Sequence, residues 1–425
     1  MSKRDVLQQN LQAILENRQK QGWLLEPPAP GNLAGMADFS SNDSLSLSSS
    51  GLLGKEFLGE LERHPDFILG ARASRWGEGS TDYLSQLEEH IARFHNAESA
   101  LFFNCGFEAN VAIYSTVPQP DDVVLYDSLI HASVREGLRR GHATALSFAH
   151  NDVASLRQRL QAIKGQHTGS KSGQALVFIA LESYYSMDGD VSPLEAMVKA
   201  VKQQLPLGNA AFIIDEAHST GLVGPHGSGL VSHLGLEKEF SIRLHTFGKA
   251  HGASGAVVLA SPECKRVLLS CVRGLIFSTA PTFITLAAVK AGYILLASDE
   301  GERRRALLQS NINLFFEALT SHTAWPDCQR LGIITIPMKA APDTPKSSII
   351  PIIAQSGEAL ALGDFLKNKK FRVIVVHFPV VPKDKERVRI NLHSDHTPEQ
   401  ILSLVRLILE WVQTRSNVGR HISHL

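Results

Sequence analysis

An apolar run that ends in an acid is the feature that most constrains how this chain can fold. Residues 210–214 are Ala-Ala-Phe-Ile-Ile, and Asp215 follows them directly. A short, uninterrupted apolar run is typical of a strand that is buried on both faces of a parallel sheet. Open α/β sheets bind their ligands at the carboxyl ends of such strands. We therefore expect Asp215 to lie at a ligand-binding edge.

Other short apolar runs predict further strands of the same kind. They cover residues 100–103, 123–127 and 176–181. After about residue 290 the pattern changes, and helices are predicted around 303–319 and near 398–412, with short strands at 348–353, 371–376 and 388–392. A group of strands and helices separate from the first set indicates a small α+β domain at the C-terminal end.

Composition narrows the class of protein. The 425 residues are 44% hydrophobic and 20% charged, with a formal net charge of zero, which is ordinary for a globular chain. Zero net charge argues against nucleic acid or an anionic membrane as the main partner. No apolar stretch approaches the ~20 residues that a membrane span needs. Four widely spaced cysteines predict neither a disulfide framework nor a metal site, so a reducing compartment is expected.

Lys249 is the second residue of chemical interest. It lies in a Gly-Lys-Ala turn, where small neighbours let a bulky group approach its amine. A lysine together with an acid at a strand end matches the needs of pyridoxal 5′-phosphate (PLP). The lysine bonds covalently to this cofactor, and the acid keeps its ring nitrogen protonated. Either residue alone would be weak evidence, because isolated motif matches carry a false-positive risk.

Three segments make the pair far more specific. They are Ser-Met-Asp-Gly-Asp at 186–190, Asp-Glu-Ala-His-Ser-Thr-Gly at 215–221 and Thr-Phe-Gly-Lys-Ala-His-Gly at 246–252. With them the chain resembles the α-oxoamine synthases, a PLP-dependent family, over roughly residues 35–412. The resemblance implies an α/β fold, the fold type I of PLP-dependent transferases (aspartate-aminotransferase-like).

That fold has a large domain with a mainly parallel seven-stranded sheet and a small C-terminal α+β domain. The expected boundaries are 1–50 for an N-terminal helix and segment, 51–290 for the large domain, 291–415 for the small domain and 416–425 for an exposed tail. Residues 5–20 predict an amphipathic helix with Leu7, Leu11, Ile14 and Leu15 on one face. Such a face needs a partner, and a second subunit is one candidate.

The resemblance also implies the roles of individual residues. Lys249 holds PLP and later acts as the general base, and Asp215 pairs with the ring nitrogen. His131 stacks on the ring, while His218 and Ser186 bond its phenolic oxygen. The implied contacts to the cofactor phosphate are those of Cys105, Gly106, Phe107 and Thr246, with Ser278 and Thr279 reaching the other site of a homodimer. The implied substrate contacts are Asn42, Arg389 and His377; no metal is expected.

The implied reaction condenses a small amino acid with an acyl-CoA and releases CoA and CO2. The leading assignment within the family joins L-alanine to pimeloyl-CoA, giving 8-amino-7-oxononanoate for biotin biosynthesis. The departures from the family pattern at Ser44, Trp76 and His377 leave the shape of the substrate pocket open, and those at His377 and Val380 leave the acyl specificity open. Glycine C-acetyltransferase, a secondary-metabolite condensing enzyme, an aminotransferase and a non-catalytic partner subunit remain alternatives.

The C-terminal tripeptide suggests where the protein acts. Ser423-His424-Leu425 resembles the peroxisomal address Ser-Lys-Leu, with histidine as the basic residue. We therefore expect recognition by a peroxisomal import receptor, and a cytoplasmic location otherwise.

Overall fold

The computed structural model describes residues 3–24, 35–166, 175–337, 345–355 and 357–422. Its helices are α1 Lys3–Lys20, α2 Leu52–Arg63, α3 Asp82–Phe94, α4 Gly106–Thr116, α5 Ala132–Arg140, α6 Val153–Gln166, α7 Leu194–Gln204, α8 Leu230–His233, α9 Pro262–Cys271, α10 Arg273–Phe277, α11 Phe283–Ala297, α12 Asp299–Ser321, α13 Trp325–Leu331, α14 Glu358–Asn368 and α15 Pro398–Ile422. Its strands are β1 Ala37–Asp38, β2 Ser99–Phe103, β3 Val123–Asp127, β4 Thr144–Phe148, β5 Val177–Glu182, β6 Ala210–Asp215, β7 Phe240–Thr246, β8 Ala256–Ala260, β9 Ile334–Thr335, β10 Ile349–Ala354, β11 Phe371–Arg372, β12 Ile374–Val376 and β13 Arg387–Asn391.

The large sheet has seven strands in the order β2-β8-β7-β6-β5-β3-β4. All of them are parallel except β8, which is antiparallel to both of its neighbours. The predicted mainly parallel seven-stranded sheet is therefore confirmed. The strands predicted at 100–103, 123–127, 176–181 and 210–214 are all present, each within one residue of the predicted bounds.

The apolar run of β6 is explained by helices on both faces of this sheet. Phe212 and Ile214 pack into a core that also contains side chains of α6 and α7. Ile213 points the other way, into a core shared with α4 and α5. Because alternate residues of a strand face opposite sides, burial on both sides requires every position to be apolar.

The smaller sheet is antiparallel, with the order β12-β13-β10-β9. Helices α12, α14 and α15 contribute to its core. Phe39, Leu45 and Leu47 of the N-terminal segment lie in the same core, and β1 pairs with β11 in a separate two-stranded parallel sheet. The predicted domain boundaries at residues 50, 290 and 415 stay predictions, although these contacts tie residues 37–47 to the C-terminal part of the fold.

Two local expectations need correction. The single strand predicted at 371–376 is two strands, because β11 pairs with β1 while β12 pairs with β13. The last helix does not end near Val412 but reaches Ile422, so the predicted tail is helical at least to that residue. The tripeptide at 423–425 lies outside the described residues.

The N-terminal helix is present as predicted, and its four leucine and isoleucine side chains are exposed. Among the described residues, no helix combines the length and the apolar character that a membrane crossing requires.

Candidate active site

The carboxyl ends of neighbouring parallel strands bring polar side chains to one edge of the large sheet. β5 ends at Glu182 and β6 ends at Asp215, and these two residues are direct partners in the register of the two strands. β7 ends one strand further along, at Thr246. Lys249 follows three residues later, with its Nζ 3.5 Å from Thr246 Oγ1.

A cleft of about 680 Å³ opens at this edge. Twelve of the fourteen residues predicted to form the site line it: Asn42, Cys105, Gly106, Phe107, His131, Ser186, Asp215, His218, Thr246, Lys249, His377 and Arg389. The sequence therefore identified most of the residues that meet here. Their individual roles stay predictions.

Lys249 lies deep in the cleft, and its surroundings alter its acidity. Burial lowers the pKa of its amine from the ordinary value of 10.5, because a charged amine loses hydration there. The carboxyl groups of Asp215 and Glu182 oppose this effect, and the Arg389 guanidinium adds to it. The net lowering increases the fraction of neutral amine, which is the form that accepts a proton or attacks an electrophile.

Asp215 is held by two donors. Asn110 Nδ2 donates to its Oδ2 at 2.8 Å, and the Ala217 amide donates to its Oδ1 at 2.9 Å. The same Asn110 amide donates to Ser133 Oγ at 3.0 Å. With both oxygens engaged, the carboxylate has a fixed orientation toward the cleft.

Sequence reasoning missed Asn110 and Glu182 as members of the site. Asn110 lies one helical turn after Gly106 on α4, so the spacing of a helix face was the signal that pointed to it. Glu182 ends a buried strand just as Asp215 does, and that parallel was the available signal. Burial, with the Asp215 charge nearby, raises the pKa of Glu182 well above its usual range. Its Oε1 accepts the His131 amide at 2.6 Å.

The first turn of α4 faces the cleft and is suited to an anion. The Cys105 sulfur caps this helix by accepting the Glu108 amide at 3.4 Å. Backbone N–H groups at a helix N-terminus bind phosphate readily. A Cβ at Gly106 would lie only 2.5 Å from Thr246 Cγ2, so a side chain at this position would displace the threonine.

Two histidines, His131 and His218, line the cleft, and the pKa of each is lowered there. His131 caps α5, and its Nδ1 lies 2.6 Å from Ser133 Oγ. Desolvation in the cleft lowers the pKa of His131 despite the Asp215 charge. Desolvation, with Lys249 and Arg389 nearby, lowers the pKa of His218 well below its ordinary value. Both rings are therefore neutral near pH 7, and each keeps one N–H donor.

Arg389 closes the opposite wall. It is buried, its Nε donates to the Ser186 carbonyl at 2.8 Å, and its Nη2 donates to Asn42 Oδ1 at 3.0 Å. Burial lowers the pKa of Arg389 to about 10, so the guanidinium remains charged at neutral pH. Two bonds fix its plane, and the other N–H groups remain free for a carboxylate within the described structure.

The outer wall of the cleft is apolar. It is formed by Ile374, Val375 and Val376 of β12 together with Val380. Among the described residues, His377 is the one titratable side chain of this outer wall, and its Nδ1 lies 2.7 Å from the Phe378 carbonyl. This wall offers shape and apolar contact but few directed bonds.

Of the other residues that the sequence singled out, some line the cleft and others do not. Ser278 and Thr279 are exposed and do not line the cleft of their own chain. Ser44 is buried and does not line the cleft either, and its Oγ lies 3.0 Å from Ser348 Oγ. Trp76 is 76% exposed and lies away from the cleft, whereas His377 does line it.

A mainly parallel sheet with helices on both faces, and with a lysine, an acid and a helix N-terminus at the carboxyl ends of its strands, defines the class of fold type I PLP-dependent enzymes. A solved serine palmitoyltransferase from S. paucimobilis, with PLP and myriocin bound, has the same fold with a TM-score of 0.75 over 98% of each chain, at 22% identity. Residues 35–408 match the family described as aminotransferase class I and II.

This chain belongs to the class I and II aminotransferase family, within its α-oxoamine synthase branch. It is 38% identical to the aminoacyl transferase sphA of Aspergillus fumigatus, over 95% of this chain and 86% of that one. It is 39% identical to the 8-amino-7-oxononanoate synthase of Emericella nidulans, over 88% and 89%. It is an acyltransferase-type enzyme, and the family depends on PLP.

The cleft fits this cofactor. The first turn of α4 and Thr246 would hold the phosphate, since Gly106 has no side chain to occupy that space. The doubly held carboxylate of Asp215 suits a protonated ring nitrogen. Lys249, with its lowered pKa, suits the covalent link.

Proposed function

We propose that this enzyme joins L-alanine to an acyl-CoA with loss of CO2, releasing CoA and an aminoketone. One observation carries the proposal: a single cleft holds the Lys249 amine, the fixed Asp215 carboxylate and a buried Arg389 with free donors. Together these groups bind an α-amino acid by its carboxylate beside a proton acceptor. Release of the thiol and of CO2 makes the free energy of the condensation favourable.

When bound, PLP supplies an electron sink for a carbanion at the amino acid Cα. Arg389 binds the carboxylate of alanine through its free N–H groups, with Asn42 and the Ser186 carbonyl fixing its plane. The neutral Lys249 amine removes the Cα proton. Asp215 keeps a proton on the ring nitrogen, and neutral His218 and Ser186 donate to the phenolic oxygen.

A carbon–carbon bond forms between Cα of alanine and the thioester carbonyl carbon, and the carbon–sulfur bond breaks with its electrons on CoA. CoA leaves as the thiolate and takes one proton from water to become the thiol. The bond from Cα to its carboxyl carbon then breaks, and CO2 departs. Lys249 returns a proton to Cα, so the product keeps the amino group and gains a ketone.

Pimeloyl-CoA is the first candidate acyl donor, with 8-amino-7-oxononanoate as the product for biotin biosynthesis. The Emericella nidulans relative of that name supports it. An acyl chain without a terminal carboxylate is the second candidate. The apolar wall of Ile374 and Val380 favours it.

A pair of acyl-CoAs separates these candidates. Pimeloyl-CoA and heptanoyl-CoA have seven acyl carbons each and differ only in the terminal carboxylate. Purified holoenzyme is incubated with L-alanine and either thioester, and free thiol is measured. Faster release from pimeloyl-CoA supports the biotin precursor, whereas faster release from heptanoyl-CoA, rising further with decanoyl-CoA, assigns the second candidate.

We also propose a homodimer, because enzymes of this family are generally dimeric and Ser278 and Thr279 lie exposed outside their own cleft. Sedimentation of the purified protein tests this proposal. If a dimer forms, Ser278→Ala should weaken PLP binding in the wild-type partner site of mixed dimers.

We further propose peroxisomal import through Ser423-His424-Leu425. A fluorescent fusion carrying the last twelve residues tests it, with a matched fusion that lacks the tripeptide as the control. Cytoplasmic fluorescence from both fusions would refute this location.

A further inference from the structure

His150 lies between two carboxylates outside the cleft. It follows β4 by two residues, and its Nδ1 is 2.8 Å from Asp127 Oδ1 while its Nε2 is 2.7 Å from Asp190 Oδ2. A neutral imidazole has only one N–H and would point a lone pair at the second carboxylate. Two short contacts to ionised acceptors therefore require both ring nitrogens to carry a proton.

Each carboxylate lies next to a segment that carries a residue of the cleft. Asp127 ends β3 and also accepts the Leu129 amide at 2.9 Å, which shapes the turn leading to His131. Asp190 closes the 186–190 turn, where the Tyr185 amide donates to its carbonyl at 3.1 Å. Ser186 of that turn supplies the carbonyl that holds Arg389.

Asn151 strengthens the same connection. Its backbone amide donates to Asp127 Oδ2 at 2.8 Å, and its side chain donates to Asp190 Oδ2 at 2.8 Å. Asn151 is neutral, however, and cannot offset two negative charges. The rings of Tyr185 and His150 pack nearly perpendicular to each other, with 4.5 Å between their centroids. Burial raises the pKa of the Tyr185 phenol, so it adds no charge either.

We propose that His150 is a positioning residue, which holds the loop that presents His131 and the turn that presents Ser186 at a fixed separation by binding Asp127 and Asp190 at once. His150 does not line the cleft and touches no residue that handles the amino acid. It acts through the carboxylates on its two sides. Without it, two like charges would remain on facing loops and repel each other.

The charge of His150 is secure at working pH. Burial alone lowers the pKa of His150, but the hydrogen bonds with Asp127 and Asp190 outweigh burial and raise this pKa to about 10. Because the folded pKa is raised above the ordinary 6.5, the contribution of this cation to stability is complete below about pH 6.5. It is lost as pH rises through about 10.

Replacing a buried ion pair can leave stability nearly unchanged while altering local geometry. The binding of PLP and of L-alanine is therefore a better readout than the melting temperature. Neither measurement needs an acyl-CoA, so a wrong acyl assignment would not affect the result. The PLP measurement needs no substrate, so it also stands apart from the proposed reaction.

The test uses His150→Ala, with His142→Ala as the matched control, since His142 is an exposed histidine eight residues earlier in the chain. PLP and L-alanine dissociation constants are measured from the cofactor absorbance of the full-length protein. Both constants should rise about tenfold in His150→Ala, the size expected for loss of one charged contact. Both should stay near wild type in His142→Ala.

Imidazole provides a second arm that separates positioning from misfolding. A cavity of about 290 Å³ borders His150, Asp188 and Asp190, so free imidazole can reach the space that the alanine variant leaves. We expect added imidazole to return both constants to within about threefold of wild type, since it supplies the same two donors. Unchanged constants in His150→Ala would overturn the proposal, and so would a loss that imidazole does not restore.

Discussion

The two ends of the cleft are built differently. At the cofactor end Asp215 has both oxygens bonded, Glu182 is bonded to the His131 amide, and Arg389 is held at two nitrogens. At the end proposed for the acyl chain the wall is Ile374 and its neighbours, and His377 Nδ1 lies 2.7 Å from the adjacent Phe378 carbonyl. Directed bonds restrict the first end to one kind of chemistry, whereas the second selects mainly by shape.

The difference follows from the parts of the fold that supply each end. The cofactor end lies at the carboxyl ends of buried parallel strands, which are fixed on both sides by neighbouring strands. The acyl end comes from β12, an edge strand of the small sheet, and from the 377–380 segment that follows it. An edge strand is held by one neighbouring strand instead of two, so its residues can change without disturbing the large sheet. The acyl substrate range can therefore change while the reaction class stays the same.

Loss of Lys249 should have the largest effect at the cofactor end. Lys249→Ala removes both the covalent attachment and the general base, so kcat should fall by at least about 10⁴-fold, the upper range for a general base alone. The measurement is thiol release under saturating substrates. Lys55→Ala removes an exposed lysine and should keep wild-type activity; similar losses in both variants would show that the effect is not specific to the site.

Arg389 should affect binding of the amino acid most. Arg389→Ala should raise KM for L-alanine about 100-fold, since a hydrogen bond to a charged group contributes about 1.5–3 kcal/mol. KM for the acyl-CoA should change much less. Arg372→Ala, an exposed arginine near the small sheet, is the control. An unchanged KM for L-alanine would remove Arg389 from the carboxylate site.

The acidity of Lys249 should appear in the pH dependence of kcat. Because burial lowers its pKa, the neutral base is available below pH 10.5, and the acid limb of the profile should lie below that value. The positive charge of Arg389 contributes to the lowering, so Arg389→Met should move the limb to higher pH. A limb that stays in place in this variant would contradict the assignment of the limb to Lys249.

Asn110 tests the fixed orientation of Asp215. Asn110→Ala leaves the carboxylate with the Ala217 amide but without its side-chain donor. We expect kcat to fall about tenfold, from loss of one hydrogen bond to a charged acceptor. Asn110→Asp should be more damaging, because it places a second carboxylate against Asp215. Equal activities for the two variants would argue against this orientation.

The smallest effect is expected at the acyl end. Val380→Arg adds a cation to an exposed position of the wall, where an ion pair contributes about 0.2–1 kcal/mol, or at most about fivefold. The ratio of kcat/KM for pimeloyl-CoA to that for heptanoyl-CoA should rise by this amount. Val380→Leu, which adds volume without charge, should leave the ratio unchanged. A lower ratio in Val380→Arg would place the acyl terminus elsewhere.

The sequence predicted the cofactor end well because strand burial leaves a clear pattern. The apolar run at 210–214 placed Asp215 correctly, and the Gly-Lys-Ala turn placed Lys249 beside it. Arg387 and Arg389 lie two residues apart on β13 and so face one side of the strand, and both contact the 186–190 turn.

Other features depended on contacts distant in sequence. Asn110 meets Asp215 because α4 packs on one face of the sheet, in the core that Ile213 also enters. The division of 371–376 into two strands depends on pairing with β1, from the start of the chain. Ser44 is buried and does not line the cleft, and its Oγ lies 3.0 Å from the Oγ of Ser348, a residue 304 positions later in the chain.

The fate of the alanine carboxyl carbon distinguishes the proposed decarboxylative condensation from transamination. L-Alanine labelled with ¹³C at the carboxyl carbon is incubated with holoenzyme and an acyl-CoA, and thiol, labelled CO2 and product mass are measured together. We expect equal amounts of thiol and labelled CO2, and an unlabelled aminoketone, all absent with Lys249→Ala. Pyruvate that keeps the label, with no thiol released, would identify an aminotransferase and contradict it.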